Sequence, residues 1–303
     1  MLIKRPIIAL FLMPAVLIYL VIFLYPTLRA GVMSFYSIDT LTAAFKEWKY
    51  VGIGNYSDLI ANQYFRGSVW NVFVIWLVGG LIIFVFAFLF AAILSSGVRG
   101  KGFWRSLIFL PNTVSAVVLS VIWLQYIYSS NYGFLKTVFK FLGLNTLASV
   151  QWTDSEHIFG SMVIAYCFGS IGYFMLILQA AMDRIPTDFY EASVLEGANP
   201  FHKFFFITLP LMRDVFRTTL MLWTITAINW FVWSATFGLA EQSTTTPGYY
   251  MYMKVFGSST NSHTTTEVFN VGTGAAVGIL IMIAIIAISA VMNLFFRKER
   301  LEY

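Results

Sequence analysis

Charge is what this 303-residue chain has least of: Asp, Glu, Lys and Arg make up 11% of it, against about 25% in an average soluble chain. That deficit excludes the two soluble domains that the length alone would allow. Cysteine occurs once, at Cys167 inside an apolar run, so no disulfide within the chain can staple it. The three histidines, His157, His202 and His263, are scattered and form no short-spaced metal motif. A phosphate loop of the type G-x-x-x-x-G-K-S/T is missing; Gly100-Lys101 is followed by Gly102 and lacks the preceding glycine. No nucleophile–base constellation is legible, so catalytic residues: none, and metal ligands: none. The formal charge is +5, but its Lys and Arg flank apolar runs instead of forming a patch, which argues against nucleic acid as a partner.

Apolar residues are abundant, at 59%, and aromatics reach 18%. About twenty apolar residues cross a bilayer core, and six stretches qualify: Ile7–Leu28, Val69–Leu94, Ser106–Ile127, Ile158–Met182, Val215–Leu239 and Val271–Phe296. The first has Lys4 and Arg5 before it and Ala30-Gly31 after it, as a signal peptide would. Its apolar run exceeds the usual h-region of about 7–15 residues, so a retained helix is the better reading. The expected fold is therefore an all-α membrane protein, one domain over residues 1–303 with six transmembrane helices.

Orientation follows from the short loops. One side holds Lys4, Arg5, Arg99, Lys101, Arg105, Arg184, Lys203, Arg213, Arg217, Arg297, Lys298 and Arg300, twelve of the nineteen Lys and Arg. On the other side seven acids cancel the remaining seven. The basic side is expected to be cytoplasmic, and both termini with it. The outer connections are longer: Gly31–Ser68, with an ordered-looking Trp48–Tyr56, then Ser129–His157 and the Ser/Thr-rich Ala240–Asn270. Inside the spans no Lys, Arg, Asp, Glu or His lies deep, Arg217 being near an inner end. Proton- or ion-coupled carriers keep such a group because it is costly and useful. An ion-coupled secondary carrier is thus the weaker alternative, and a membrane-embedded enzyme lacks its catalytic cluster.

The longest cytoplasmic connection, about residues 183–213, contains a polar island from Tyr190 to Pro210. Pro186 sits where a first helical turn tolerates a missing N–H, and Thr187 and Asp188 suit a helix N-terminus. Gly197 can take the left-handed conformation that stops a helix. Asn199-Pro200 restarts one, Asn as N-cap and Pro at the first helical position. Phe189, Ala192, Ser193 and Glu196 fall at helical spacing, with Glu191 beside them, giving a small-residue face suited to a groove in another protein.

Glu191-Ala192-Ser193, Gly197 and Ile207-Thr208-Leu209-Pro210 together resemble the E-A-A–x3–G–x9–I-x-L-P cytoplasmic loop of ATP-binding-cassette importer permeases. Ser193 replaces the second alanine and Glu196 stands where an aspartate is usual. Phe103–Pro111 leading to Ile122-Trp123, Gly172–Ala181 followed by Ile185-Pro186, and Met13-Pro14-Ala15 with Leu24-Tyr25-Pro26 are similar to carbohydrate-type permeases of the maltose/glycerol-phosphate group. The outer run Glu241–Pro247 departs from that group, which commonly has G-G-P there. The resemblance implies a coupling helix between spans 4 and 5, carried by Tyr190, Glu191, Ala192, Ser193, Glu196 and Gly197. It further implies a second permease subunit, two ATP-binding subunits that hold ATP and Mg, and an extracytoplasmic solute-binding protein. This chain would bind no cofactor itself. The location would be a bacterial or archaeal plasma (inner) membrane, and the work alternating-access import of a sugar, oligosaccharide or related polyol.

A solute path calls for an aromatic and polar stripe, because sugar rings have apolar C–H faces and a hydroxyl rim. Tyr166, Gly169, Ser170 and Tyr173 fall at i, i+3, i+4 and i+7 in the fourth span. Trp223, Thr226, Ala227 and Trp230 do so in the fifth, continued by Trp233 and with Asn229 beside them. The same residues also suit helix packing and interface anchoring.

Overall fold

The computed structural model describes residues 5–237, 242–257 and 269–295. Lys4, Leu239, Glu241, His263, Phe296, Arg297, Lys298 and Arg300, and with them the ends on which the orientation of the termini rests, lie outside those residues.

In chain order, α1 (Arg5–Ile18) runs through a wide turn into α2 (Tyr25–Met33), and a short antiparallel pair follows, β1 (Tyr36–Ser37) with β2 (Lys49–Tyr50). Then come α3 (Gly54–Ala61), α4 (Gln63–Val74), α5 (Gly80–Ser95), α6 (Lys101–Phe109), α7 (Ala116–Ile122), α8 (Phe134–Phe141) and α9 (Asn145–Ala148). The remainder is α10 (Ile158–Met182), α11 (Thr187–Leu195), α12 (Pro200–Lys203), α13 (Leu209–Leu211), α14 (Arg213–Ile228), α15 (Val232–Phe237), α16 (Pro247–Phe256) and α17 (Val271–Phe295).

Five helical stretches are long and apolar enough to cross a membrane: Leu10–Met33, Gln63–Ser95, Ile158–Met182, Arg213–Phe237 and Val271–Leu294. The expected third span is not one straight helix. Lys101–Thr113 and Ala116–Ile127 meet at 95°, so the sixth crossing, if the pair is one span, is broken. Pro111 lacks the N–H that would continue the ladder, and Val114 and Ser115 are extended. The Asn112 amide donates to the Gly169 carbonyl of α10 at 3.3 Å, tying the break to its neighbour. Gly172 permits the approach: a Cβ there would lie 2.4 Å from the Ile108 carbonyl oxygen of α6.

Packing divides the chain into two compact units, Met1–Arg66 with Tyr250–Ile283, and Gly67–Tyr249 with Ala284–Tyr303. In the first, Leu59, Phe65, Tyr250, Ala276 and Val277 form the core. Buried Asn55 donates to the Ser34 and Tyr36 carbonyls (2.8 and 2.9 Å) and accepts from the Thr273 hydroxyl (3.0 Å). The Trp48–Tyr56 segment is thus ordered, as expected.

The second unit is organised on α10. Met162, Met175 and Leu178 are fully buried and share a core with Ile83, Ala87 and Ala91 of α5. One part of this unit contradicts the hydrophilic look of its sequence: Thr244, Thr245 and Thr246 are buried. Ser234 donates to the Thr244 carbonyl at 2.8 Å, while the Asn71 amide donates to Ser243 and Thr245 carbonyls at 3.0 and 2.8 Å. Those bonds supply the partners that buried backbone requires.

Candidate functional site

The loop after α10 forms as its turn residues demand. Asp188 lies in the first turn of α11, and Pro186 is the residue just before the first helical one. Gly197 takes φ +74°, the left-handed value that a β-branched residue resists. The Gly197 and Ala198 amides donate back to Val194 and Ser193 carbonyls at 3.0 and 2.9 Å, closing the helix. Asn199 then caps α12, its side chain accepting from the His202 amide at 2.8 Å.

The loop is braced from inside by hydroxyls. Tyr190 and Thr208 hydroxyls lie 2.9 Å apart, and Thr208 also donates to the Lys203 carbonyl at 3.2 Å. Ser193 turns inward and donates to the Tyr190 carbonyl at 2.7 Å, so it does not share the outer surface with Ala192. Facing outward are Glu191, Ala192 and Glu196, together with residues the sequence reading passed over: Leu195 (89% exposed), Phe201 and Phe206. An apolar side chain left bare in a polar loop was the available signal for them. Before the loop, Lys101 and Asp183 pair at 2.9 Å.

The fourth- and fifth-span stripes meet in part. Tyr166 of α10 packs at ring-centroid distances of 4.2 Å from Trp230, 5.6 Å from Trp233 and 6.0 Å from Trp223, and all four are buried. Trp223 is fixed by its N–H to the Trp76 carbonyl at 3.0 Å, and Trp76 donates to the Thr224 hydroxyl at 3.0 Å. Trp230 lies in the non-helical step between α14 and α15, where its carbonyl accepts from Thr246. Its indole N–H is buried and has no hydrogen-bond partner among the described residues. Ser170 is buried nearby on α10, and Gly169 points at Leu119. Tyr173 stands apart, 40% exposed with its ring edge-on to Phe174, and Asn229 is exposed with its amide on its own Ile225 carbonyl. Among the described residues no group of His, Cys, Asp or Glu could hold a metal ion.

Five helices of spanning length and apolarity, with a bent pair that can make a sixth, have the make-up of a multi-pass membrane chain. Residues 83–301 match the family of the Binding-protein-dependent transport system inner membrane component, and this chain belongs to that family. It is 27% identical, over 95% of its length and 92% of the relative's, to the sn-glycerol-3-phosphate transport system permease protein UgpA of Pectobacterium atrosepticum. The Arabinooligosaccharides transport system permease protein AraP of Halalkalibacterium halodurans is 28% identical, over 91% of this chain and 83% of the relative. The fold matches a chain in the crystal structure of a bacterial ABC transporter that imports the acidic polysaccharide alginate. The TM-score there is 0.76 at 17% identity, over 97% of this chain and 96% of the other.

Proposed function

We propose that this permease forms the membrane path of an ATP-driven importer for a sugar, oligosaccharide or related polyol. Support for the solute class comes from relatives named for glycerol phosphate and arabino-oligosaccharides. The aromatic cluster of Tyr166, Trp223, Trp230 and Trp233 offers chemistry that suits a sugar ring. A second permease subunit completes the path, and ATP with Mg belongs to two partner ATPases instead of to this chain. A solute-binding protein delivers from outside, a reading favoured by the related alginate transporter, crystallised with its alginate-pentasaccharide-bound periplasmic protein.

The observation that carries this reading is the α11–α12 loop. A short helix with a left-handed glycine stop presents Leu195 and two carboxylates outward from a braced base. We place it on the cytoplasmic side, with both termini, because the basic loops cluster there. Closure of the ATPases moves α11, and the spans re-pack from inward- to outward-open around a central site. The test is purification and topology together. ATPase subunits that co-purify and are lost on Leu195→Glu support docking at this helix. Labelling of an Ala192→Cys side chain from outside intact cells would overturn the placement.

A further inference from the structure

We infer that the α8–α9 hairpin is a phospholipid-binding element, lying on the membrane surface with an anionic headgroup held between Lys136 and Lys140. The hairpin follows the bent pair ending at Ile127 and precedes the span starting at Ile158, so it joins two apolar elements of membrane type. Along α8, Leu135 and Phe139 face the protein, where Phe139 packs 6.2 Å from Trp152. Phe134, Phe141 and Leu142 are exposed, as are Leu144 and Leu147 at the α9 end of the hairpin; Phe141 is 90% exposed. So much apolar surface on a short hairpin, next to a basic face, is the pattern of a helix lying in the interface.

The same hairpin carries a cleft of about 340 Å³ lined by Lys136, Lys140, Asn145, Ser149 and Gln151. The two lysines are one turn apart and flank it with positive charge. The Lys136 ammonium donates to the Ser130 carbonyl, which orients it at the rim. No acid occurs anywhere from Ser129 to Gln151. The next one, Asp154, is engaged by His157: ring nitrogen and amide lie 2.8 and 2.9 Å from its carboxylate and hold the carboxyl below the usual range. Cationic and amide groups in the cleft suit a phosphate, and the exposed apolar side chains of the same hairpin suit the acyl chains of the same molecule. A free anion would use the cleft and leave those side chains bare; a lipid uses both. The inference is independent of the transport reading and of sidedness, since phosphates line both membrane surfaces.

The test uses the full chain with the subunits that purify with it. After exchange with equimolar phosphatidylglycerol and phosphatidylcholine, native mass spectrometry should find phosphatidylglycerol retained preferentially. Retention should fall about fivefold for each lysine neutralised in K136Q and K140Q. Millimolar inorganic phosphate should not displace it. A spin label on Phe141→Cys, selective because the native Cys167 is buried, should be reached by oxygen more than by a water-soluble nickel chelate in phosphatidylglycerol vesicles. Equal retention of both lipids, displacement by phosphate alone, or a water-accessible label at residue 141 would each overturn the inference. The label reads out even if the lysine variants fail to fold.

Discussion

Two spans of similar apolar character have opposite fates. Within Ile158–Met182, 67% of the apolar window is buried by the chain itself; within Leu10–Met33, 0% is. The difference lies in side-chain size. The buried span contains Gly160, Ser161, Ala165, Gly169, Ser170 and Gly172, which let neighbouring backbones close in. The bare span is dominated by Leu, Val, Ile, Phe and Tyr, which fit a lipid surface or another subunit equally well. Lipid tails are as apolar as a protein core, so hydropathy marks both as spans and small residues decide which becomes the pillar.

The harshest way to break that comparison is Gly172→Leu. Its Cβ would meet the Ile108 carbonyl at 2.4 Å and the Phe109 Cα at 2.7 Å, both backbone atoms that cannot step aside. We expect a loss on the order of 3 kcal/mol, the upper end for overpacking, visible as a collapse of folded yield and a lower melting point in detergent. Leu17→Ala in the bare span removes a side chain that touches little of this chain and should leave the melting point within a degree or two. Equal tolerance of both variants would remove the distinction between pillar and lipid-facing span.

Next in size is Gly197→Val, in the loop that follows the pillar. The residue sits at φ +74° in open space, so the cost is backbone strain alone, about 1–2 kcal/mol. The protein should insert at wild-type abundance, yet couple ATP hydrolysis to uptake poorly. Wild-type uptake per molecule in proteoliposomes would mean that the docking turn does not need the glycine.

Much of this was legible beforehand. The six apolar stretches, the Gly197 stop and the Asn199 cap follow from local rules: spans from length, turns from the residues able to make them. Non-local features were less visible. Ser106–Ile127 read as one span, but its 95° bend goes with Asn112 reaching Gly169 and Gly172 admitting Ile108, contacts that sequence spacing does not reveal. Ser193 and Ala192 were grouped as one small-residue face, whereas neighbours on a helix point about 100° apart and the inner one found a carbonyl. Thr244–Thr246 belong to the Ser/Thr-rich outer connection yet are buried, with Asn71 and Ser234 satisfying the backbone there.

The aromatic stripe sharpens the comparison within the pillar itself. Tyr166 and Tyr173 lie seven residues apart, nearly one above the other, but only Tyr166 meets the tryptophans. If this buried cluster opens onto the solute path as the spans re-pack, Trp230→Ala should weaken apparent solute affinity several-fold, about 1 kcal/mol or somewhat more, with ATPase activity in the absence of solute retained. Tyr173→Ala separates two roles for an exposed ring: a similar loss means it lines the path, and unchanged uptake means it meets lipid or another subunit. Unchanged uptake in both variants would remove the aromatic path altogether.

The smallest effect concerns Lys101 and Asp183, which join the start of α6 to the residue after α10 at 2.9 Å. Both side chains are more than a third exposed, so water screens the pair and a double-mutant cycle should give about 0.2–1 kcal/mol. The ion pair nevertheless spans the step from the pillar into the loop that carries α11, so it can matter more to motion than to folding. Lys101→Ala and Asp183→Ala should each leave thermal stability nearly unchanged, and only the native chain should lose the pair's small contribution as salt is raised. If the pair holds the loop's base during the cycle, each single variant raises ATP hydrolysis uncoupled from uptake by a similar factor, and the charge-swapped double variant restores coupling. A swap that behaves like the single variants would show that the two charges act separately, and the pair would then count as surface decoration at the pillar's end.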